Sequence, residues 1–336
     1  MYRLWGEREL PTKYLPLIEG VALYVGAASA TPATPLAALP GAQAIIAGAR
    51  IRYDGAFLDQ VPTLRVISRT GIGFDNIVLA DATARGVAVC NAPDAPTIST
   101  AEHAFTLLLA VAKQIKSIEA EVKQGEQKDF FTAYNGLELY GRTLGLVGLG
   151  RIGRRVARMA LALEMRVLAY DPLIPAEQAA VLGVERAPTL EALLAGADIV
   201  SLHLPLTPET RHLINGERLA IMKPGAILIN AARGGLVDEA ALLAALERGH
   251  LQGAGLDVFD REPPAPDHPL LQRLNVVATP HIAGATGAGK DRVWQVAIQQ
   301  ALQVLRGERP PHLLNPEVWP LFVEKTDYKR NACDHP

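Results

Sequence analysis

The sequence predicts an α/β protein of two domains, each built on a parallel sheet, with a cleft between them. Three observations carry that expectation. At 336 residues the chain is longer than one hydrophobic core ordinarily organises. Its first third alternates short apolar runs with helical or turn-rich segments, the pattern of strand–crossover–strand units. Near its middle, Thr143-Leu144-Gly145-Leu146-Val147-Gly148-Leu149-Gly150-Arg151-Ile152-Gly153 reads as strand, tight turn and helix start, and opens a second series of the same kind.

Taken in order, residues 2–5 read as a short first strand, 11–19 as a helix beginning with proline, and 21–25, 44–47, 64–68 and 87–90 as further strands. Pro32, Pro35, Pro40 and Gly41 break the chain between two of these strands, and Gly71 and Gly73 follow a third. Those two glycines either make a plain turn or bring backbone N–H groups against an anion at the carboxyl ends of the strands. Asn91-Ala92-Pro93-Asp94-Ala95-Pro96 is a rigid connector. Ser99 with Glu102 matches a capping box, and Ala104, Leu107, Leu108, Val111 and Ile115 continue one long helix expected to carry the chain from the first domain to the second. Later strands fall at 166–170, 199–202, 226–230, 254–257 and 276–278, with helices between them, including 239–247 stopped by Gly249. A last helix, 286–306, runs through Val293, Val296, Ala297, Ala301 and Leu305 to Gly307. Because the second sheet is complete before it, this helix should return the chain to the first domain. The domains expected are 1–98 with 286–336, and 99–285. Residues 324–336 are polar and unpatterned, a tail expected to be mobile.

Composition narrows the function. With 49% apolar and 20% charged residues and a net charge of −2, a folded, soluble protein is expected and a nucleic-acid surface is not. Cys90 and Cys333 make neither a metal-ligand spacing nor a disulfide framework, which fits a reducing compartment and no metal. The start lacks a basic segment followed by a long apolar one, and no run approaches the roughly 18 apolar residues of a membrane span, so a cytoplasmic location is expected.

In Gly148-Leu149-Gly150-Arg151-Ile152-Gly153 the first glycine permits the turn, the second lets backbone approach a pyrophosphate, and the third lets helix and strand pack closely. Asp171 ends the next strand 18 residues beyond Gly153, close to the spacing at which a carboxylate meets the adenosine ribose hydroxyls. That carboxylate accepts from a free 2′-hydroxyl and repels a 2′-phosphate, and no Arg or Lys follows at once in Pro172-Leu173-Ile174-Pro175. The expected cofactor is therefore NAD rather than NADP.

Three polar groups sit just beyond strands of the second series: Arg233, Glu262 and His281. Singly, each has a plainer reading as surface charge, loop solvation or a satisfied cap. Their shared position on one nucleotide-binding sheet points instead to hydride chemistry on a 2-hydroxy acid. A guanidinium holds a carboxylate with two parallel hydrogen bonds and fixes the neighbouring carbon. Histidine takes or returns the hydroxyl proton near neutral pH, and a glutamate on its other ring nitrogen fixes the tautomer.

These motifs resemble the D-isomer-specific 2-hydroxyacid dehydrogenases, a group that includes phosphoglycerate, glyoxylate, hydroxypyruvate and D-lactate dehydrogenases or reductases. The likeness runs from about residue 64 to 316 and rests on Thr70-Gly71-Ile72-Gly73-Phe74-Asp75-Asn76, the fingerprint with Asp171, and Leu202-His203-Leu204-Pro205-Leu206-Thr207. It rests equally on the 230–238 block with Arg233, Gly255-Leu256-Asp257-Val258-Phe259 leading to Glu262-Pro263, and Thr279-Pro280-His281-Ile282-Ala283-Gly284-Ala285-Thr286. The resemblance implies a flavodoxin-like substrate-binding domain, 1–98 with 286–336, and a Rossmann-like NAD-binding domain, 99–285. It implies His281 as proton donor and acceptor, Glu262 as its partner, Arg233 as substrate anchor, and Ile72 and Gly73 as backbone contacts to the substrate carboxylate. Arg151 and Ile152 would meet the pyrophosphate, Leu204, Ala231, Ala232 and Asp257 would line the nicotinamide side, and His203, Pro205, Arg233, His281 and Gly284 would complete the cofactor contacts. It further implies a homodimer formed through the NAD-binding domain.

Departures from the pattern bear on substrate. Relatives acting on formate carry glutamine beside the histidine, which Glu262 disfavours here. Only 30 residues follow Arg306, too few for the regulatory domains of long phosphoglycerate dehydrogenases. Where phosphoglycerate-specific members place a basic residue, this chain has Gly48 or Ala49, with Arg50 and Arg52 close behind, so a phosphate-bearing substrate stays open. Some relatives act as NAD(H)-sensing corepressors with the same fold, and that is the alternative reading.

Overall fold

Apolar runs too short for helices, each followed by turn residues, pair as parallel strands in two separate sheets. The structure, a computed structural model, describes residues 1–26, 36, 38–320 and 322. Pro32, Pro35, Cys333 and the 324–336 tail lie outside the described residues. The chain divides into two compact units, Met1–Pro96 with Gly287–Pro336, and Thr97–Thr286.

In the smaller unit β1 (Tyr2–Gly6), β2 (Ala22–Gly26), β3 (Ala44–Ala47), β4 (Val66–Arg69) and β5 (Ala88–Cys90) form a five-stranded parallel sheet in the order β2-β1-β3-β4-β5. Alternate residues face opposite layers. Leu4, Ile46, Val66 and Cys90 pack with Ala297, Ile298, Ala301 and Leu305 of the helix Gly287–Leu305, while Trp5, Ile45, Ile67 and Val89 pack with Phe57, Leu58 and Ala82. The last helix thus belongs to the first sheet because its apolar stripe is buried there. The expected helix at 11–19 is instead a 3-10 helix, Thr12–Leu17, with Pro16 inside it and no side-chain cap. Proline removes the N–H an α-helix would need at that point.

The larger unit holds β6 (Thr143–Val147), β7 (Arg166–Tyr170), β8 (Glu185–Arg186), β9 (Ile199–Leu202), β10 (Ala226–Asn230), β11 (Leu251–Leu256) and β12 (Val276–Ala278). They form a seven-stranded parallel sheet in the order β12-β11-β10-β9-β6-β7-β8. Strand order reverses between β9 and β6, the switch point at which open α/β sheets bind ligands. One face buries Leu144, Leu146, Ile227 and Ile229 with the helices Thr97–Ala112 and Arg151–Ala162, and the other buries Val200, Leu202 and Leu228 with Leu193, Leu219 and Leu242.

The long-helix expectation needs two corrections. Ser99 is not a cap: the helix begins at Thr97, and Ser99 lies inside it, buried, its hydroxyl 2.7 Å from the Thr286 hydroxyl. Nor does one helix reach Ile115 or pass between units. It ends at Ala112, whose carbonyl accepts the Leu137 N–H at 2.7 Å, and Gln114, at φ 56°, starts a second helix, Ile115–Lys123. A returning segment takes the carbonyl that continued helix would have used. β11 also begins earlier than expected, at Leu251, because Gln252 and Gly253 interrupt the apolar run while pairing with β10 carries on through a register shift, Ala226 opposite Leu251 and Ile227 opposite Gly253. Among the described residues no helix is long and apolar enough to cross a membrane, and no cluster of His, Cys, Asp and Glu is arranged to hold a metal.

Candidate active site

Because every strand of the larger sheet is parallel, the segments after β6, β7, β9, β10, β11 and β12 leave from one edge. At β6 the chain turns through Gly148 at φ 98°, where an added Cβ would lie 2.5 Å from the His203 carbonyl oxygen. A Cβ on Gly153 would lie 2.3 Å from the Gly148 carbonyl oxygen, so helix and strand meet too closely for any side chain. Gly150, the N-cap of Arg151–Ala162, is different: a Cβ there would meet nothing within 4 Å. That open approach to a helix N-terminus fits a phosphate group. Arg151 is exposed and Ile152 packs partly into the core. Asp171 follows β7, its Oδ2 accepting the Leu149 N–H at 2.8 Å and its Oδ1 the Leu173 N–H at 2.9 Å, which fixes a carboxylate beside the glycine turn. These residues suit a dinucleotide.

After β9 come His203, Leu204 and Pro205. The His203 Nε2 lies 2.9 Å from the buried Ser201 hydroxyl, and burial of the ring pushes this imidazole down to about 4, although the residue as a whole keeps some exposure. After β10 the fully buried Asn230 clamps the turn: its Oδ1 accepts the Ala232 N–H at 3.1 Å and its Nδ2 donates to the Arg233 carbonyl at 2.8 Å. Ala231, Ala232 and Arg233 are half-buried, and the Arg233 Nη1 donates to the Ala232 carbonyl at 2.6 Å.

Beyond β11 and β12 the site tightens. The His281 Nδ1–H donates to Glu262 Oε2 at 2.6 Å, since an ionised carboxylate can only accept. The other carboxylate oxygen takes the Phe259 N–H at 3.2 Å. His281 holds the left-handed backbone conformation, φ 54°, which costs a β-carbon residue strain and persists only where surroundings enforce it. The enforcing group is Asp257, whose carbonyl accepts the His281 N–H at 2.7 Å. Its carboxylate is fully buried and accepts from the Thr279 hydroxyl at 2.5 Å and from the N–H groups of Ile282 and Ala283 at 2.9 Å each. Burial opposes its ionisation, but hydrogen bonds from the His103 side, Thr279, Ile282 and Ala283 outweigh that and hold the carboxyl below its usual range. Gly284 is half-buried in the same loop.

In the smaller unit, Ile72 and Gly73 lie in the half-buried loop after β4. The Ile72 carbonyl accepts from Asn91 Nδ2 at 2.7 Å, the Gly71 carbonyl from the Ala92 N–H at 2.9 Å, and Asn76 Nδ2 donates to the Ile51 carbonyl at 2.6 Å. Among the described residues no acceptor takes the N–H groups of Ile72 and Gly73.

Sequence reasoning missed three supporting residues. His103, on the helix Thr97–Ala112, places Nε2 2.9 Å from the Thr279 hydroxyl and 3.4 Å from the Asp257 carboxylate. Thr279 bridges the two, and Asn230 shapes the Arg233 turn. His103 and Asn230 each break an apolar pattern, a histidine on a helix stripe and an asparagine ending a buried strand, and that is the signal the sequence carries.

The family description "D-isomer specific 2-hydroxyacid dehydrogenase, NAD binding domain" matches residues 105–283. A D-3-phosphoglycerate dehydrogenase of Methanocaldococcus jannaschii is 44% identical over 268 residues, covering 80% of this chain and 50% of that protein. A glyoxylate reductase of Korarchaeum cryptofilum is 44% identical over 267 residues, covering 79% of this chain and 80% of that protein. The crystal structure of a D-lactate dehydrogenase from Aquifex aeolicus, complexed with NAD and lactic acid, superposes with a TM-score of 0.82 at 31% identity, over 93% of this chain and 99% of that one. The chain spans about half the length of the curated phosphoglycerate dehydrogenases it matches.

Proposed function

Because the chain belongs to the D-isomer-specific 2-hydroxyacid dehydrogenase family, with an NAD-type cofactor domain, we propose that it interconverts a small D-2-hydroxy acid and its 2-oxo acid with NAD(H). The observation that carries this reading is the 2.6 Å hydrogen bond between His281 and Glu262, at the sheet edge that also bears Arg233 and the glycine turn. NAD, when bound, supplies the hydride acceptor and NADH the donor. With Nδ1–H engaged by Glu262, the His281 Nε2 is left to take the substrate hydroxyl proton, and the carboxylate stabilises the imidazolium that forms. Arg233 pairs the substrate carboxylate and orients the reacting carbon. In the smaller unit, the N–H groups of Ile72 and Gly73, which no protein acceptor takes among the described residues, suit a carboxylate. Asp171, beside the Leu149 N–H, receives the ribose hydroxyls and disfavours a 2′-phosphate. Arg151, Ile152, His203, Leu204, Pro205, Ala231, Ala232 and Gly284 stand at the remaining cofactor positions, while Asp257 acts through its grip on the His281 loop.

A homodimer through the NAD-binding domain is part of the proposal. The helix Ile115–Lys123 buries none of its side chains, and Val122, Phe131 and Tyr140 are 67%, 88% and 68% exposed in the same segment. Exposed apolar groups of this kind are candidates for an association surface.

NADH absorbance tests the reaction. The protein is offered glyoxylate, hydroxypyruvate, pyruvate, longer and aromatic 2-oxo acids and phosphohydroxypyruvate, with NADPH as a control. NADH consumption by one acid names the substrate type, and His281→Ala should then lose roughly 10²–10⁴-fold in turnover while still binding NADH. NADH binding with no turnover of any acid would defeat the dehydrogenase reading in favour of nucleotide sensing.

A further inference from the structure

The loops that carry Arg233 and Glu262 meet at two side chains outside the proposed chemistry, Glu239 and His268. Glu239 opens the helix Glu239–Glu247 that follows the Arg233 turn, and His268 precedes the short helix Pro269–Gln272 that leads into β12. The His268 Nε2–H donates to Glu239 Oε2 at 3.1 Å, and Glu239 Oε1 accepts the Asp260 N–H at 2.8 Å. One residue earlier, Phe259 donates its N–H to Glu262 and sets its ring edge-on to His268, centroids 5.5 Å apart. The same peptide is pressed from another side by Gly234, where an added Cβ would lie 2.0 Å from the Phe259 carbonyl carbon and 2.4 Å from the Asp260 nitrogen. The Asp260 carboxylate faces the His212 ring at 3.5 Å and the Arg211 guanidinium at 4.0 Å, so side chains from the 204–213 segment share the junction.

Both side chains of the pair are largely buried, 22% exposed for His268 and 19% for Glu239. The His268 Nδ1 is buried and has no hydrogen-bond partner among the described residues. The proton that His268 gives to Glu239 sits on Nε2, and Glu239 accepts on both oxygens.

We infer that Glu239 and His268 are positioning residues for the reaction proposed above, on which this inference rests. They hold the Phe259–Asp260 peptide from outside, and that peptide sets where Glu262 meets His281. A helix-opening glutamate that served only its helix would need neither the Asp260 N–H nor a histidine partner.

The test uses the whole chain with Glu239→Ala, Glu239→Gln and His268→Phe, the last retaining the ring contact with Phe259 should Glu239→Ala fail to fold. Glu239→Ala and His268→Phe should lower kcat roughly 10–100-fold, as expected when reacting groups shift by about 1 Å, with NADH affinity near that of the parent. Glu239→Gln keeps an acceptor for the Asp260 N–H and should recover most of the loss. The His281 Nδ1–H proton resonance, read by NMR without turnover, should move upfield in Glu239→Ala and return in Glu239→Gln. Parental kcat with an unmoved resonance overturns the inference, and so does a loss that tracks NADH affinity or melting temperature and is not recovered by glutamine. A parent that binds NADH but reduces no oxo acid would refute the reaction alone, and the resonance would still decide the positioning.

Discussion

His203 shows how burial converts a common residue into a pH-sensitive one. Its imidazole titrates at about 4 in the folded protein against an ordinary 6.5. As pH falls below 6.5 the unfolded chain takes the proton first, so the ring progressively destabilises the folded state until both forms are protonated below about 4. The full effect is on the order of 3 kcal/mol. Calorimetry from neutral pH down to pH 4 should therefore find His203→Asn less acid-labile than the parent; equal acid lability would remove His203 as a cause. At this scale the sequence was informative about identity and silent about support. That Arg233, Glu262 and His281 each stand just beyond a strand of one sheet was legible, because the apolar runs before them mark those strands. His103, Thr279 and Asn230 were not, since their value lies in hydrogen bonds to residues distant in sequence, as between His103 and Thr279.

The strand–turn–helix from β6 to Arg151–Ala162 separates two kinds of glycine. Gly153→Ala forces a methyl group to within 2.3 Å of the Gly148 carbonyl and should cost roughly 1–3 kcal/mol of stability. Gly150→Ala meets no such neighbour, so it should fold as the parent does and instead weaken NADH binding by about tenfold or more, 1.4 kcal/mol or greater. Thermal unfolding and NADH titration of the two variants read these effects apart; a stable Gly153→Ala, or a Gly150→Ala with parental affinity, would contradict the assignment. Element boundaries were legible where periodicity alone sets them, as in β7, β9, β10 and the helix Glu239–Glu247. They were misread at Ser99, at Ala112 and at 11–19, where a tertiary hydrogen bond, a returning strand of chain or an internal proline overrides local pattern.

For the whole molecule, the exposed apolar surface on Ile115–Lys123 and beyond it leads to the expectation that sedimentation gives the mass of two chains. Phe131→Asp, charging the most exposed of these side chains, should shift that mass toward one chain at low concentration without lowering the melting of the monomer. A parent that sediments as one chain would end the dimer proposal. What the sequence determined by itself was the class of architecture, two parallel α/β sheets, the family, and the type of cofactor. Those follow from hydrophobic period and from glycines and a carboxylate spaced along a contiguous strand–turn–helix–strand. Tertiary structure alone decided that the last helix completes the first sheet's core, that Asp257 is buried to enforce the left-handed His281, and that Glu239 and His268 tie the loops after β10 and β11 together. These depend on which residues, tens to hundreds of positions apart, come within hydrogen-bond or van der Waals reach, and local pattern carries no record of that distance.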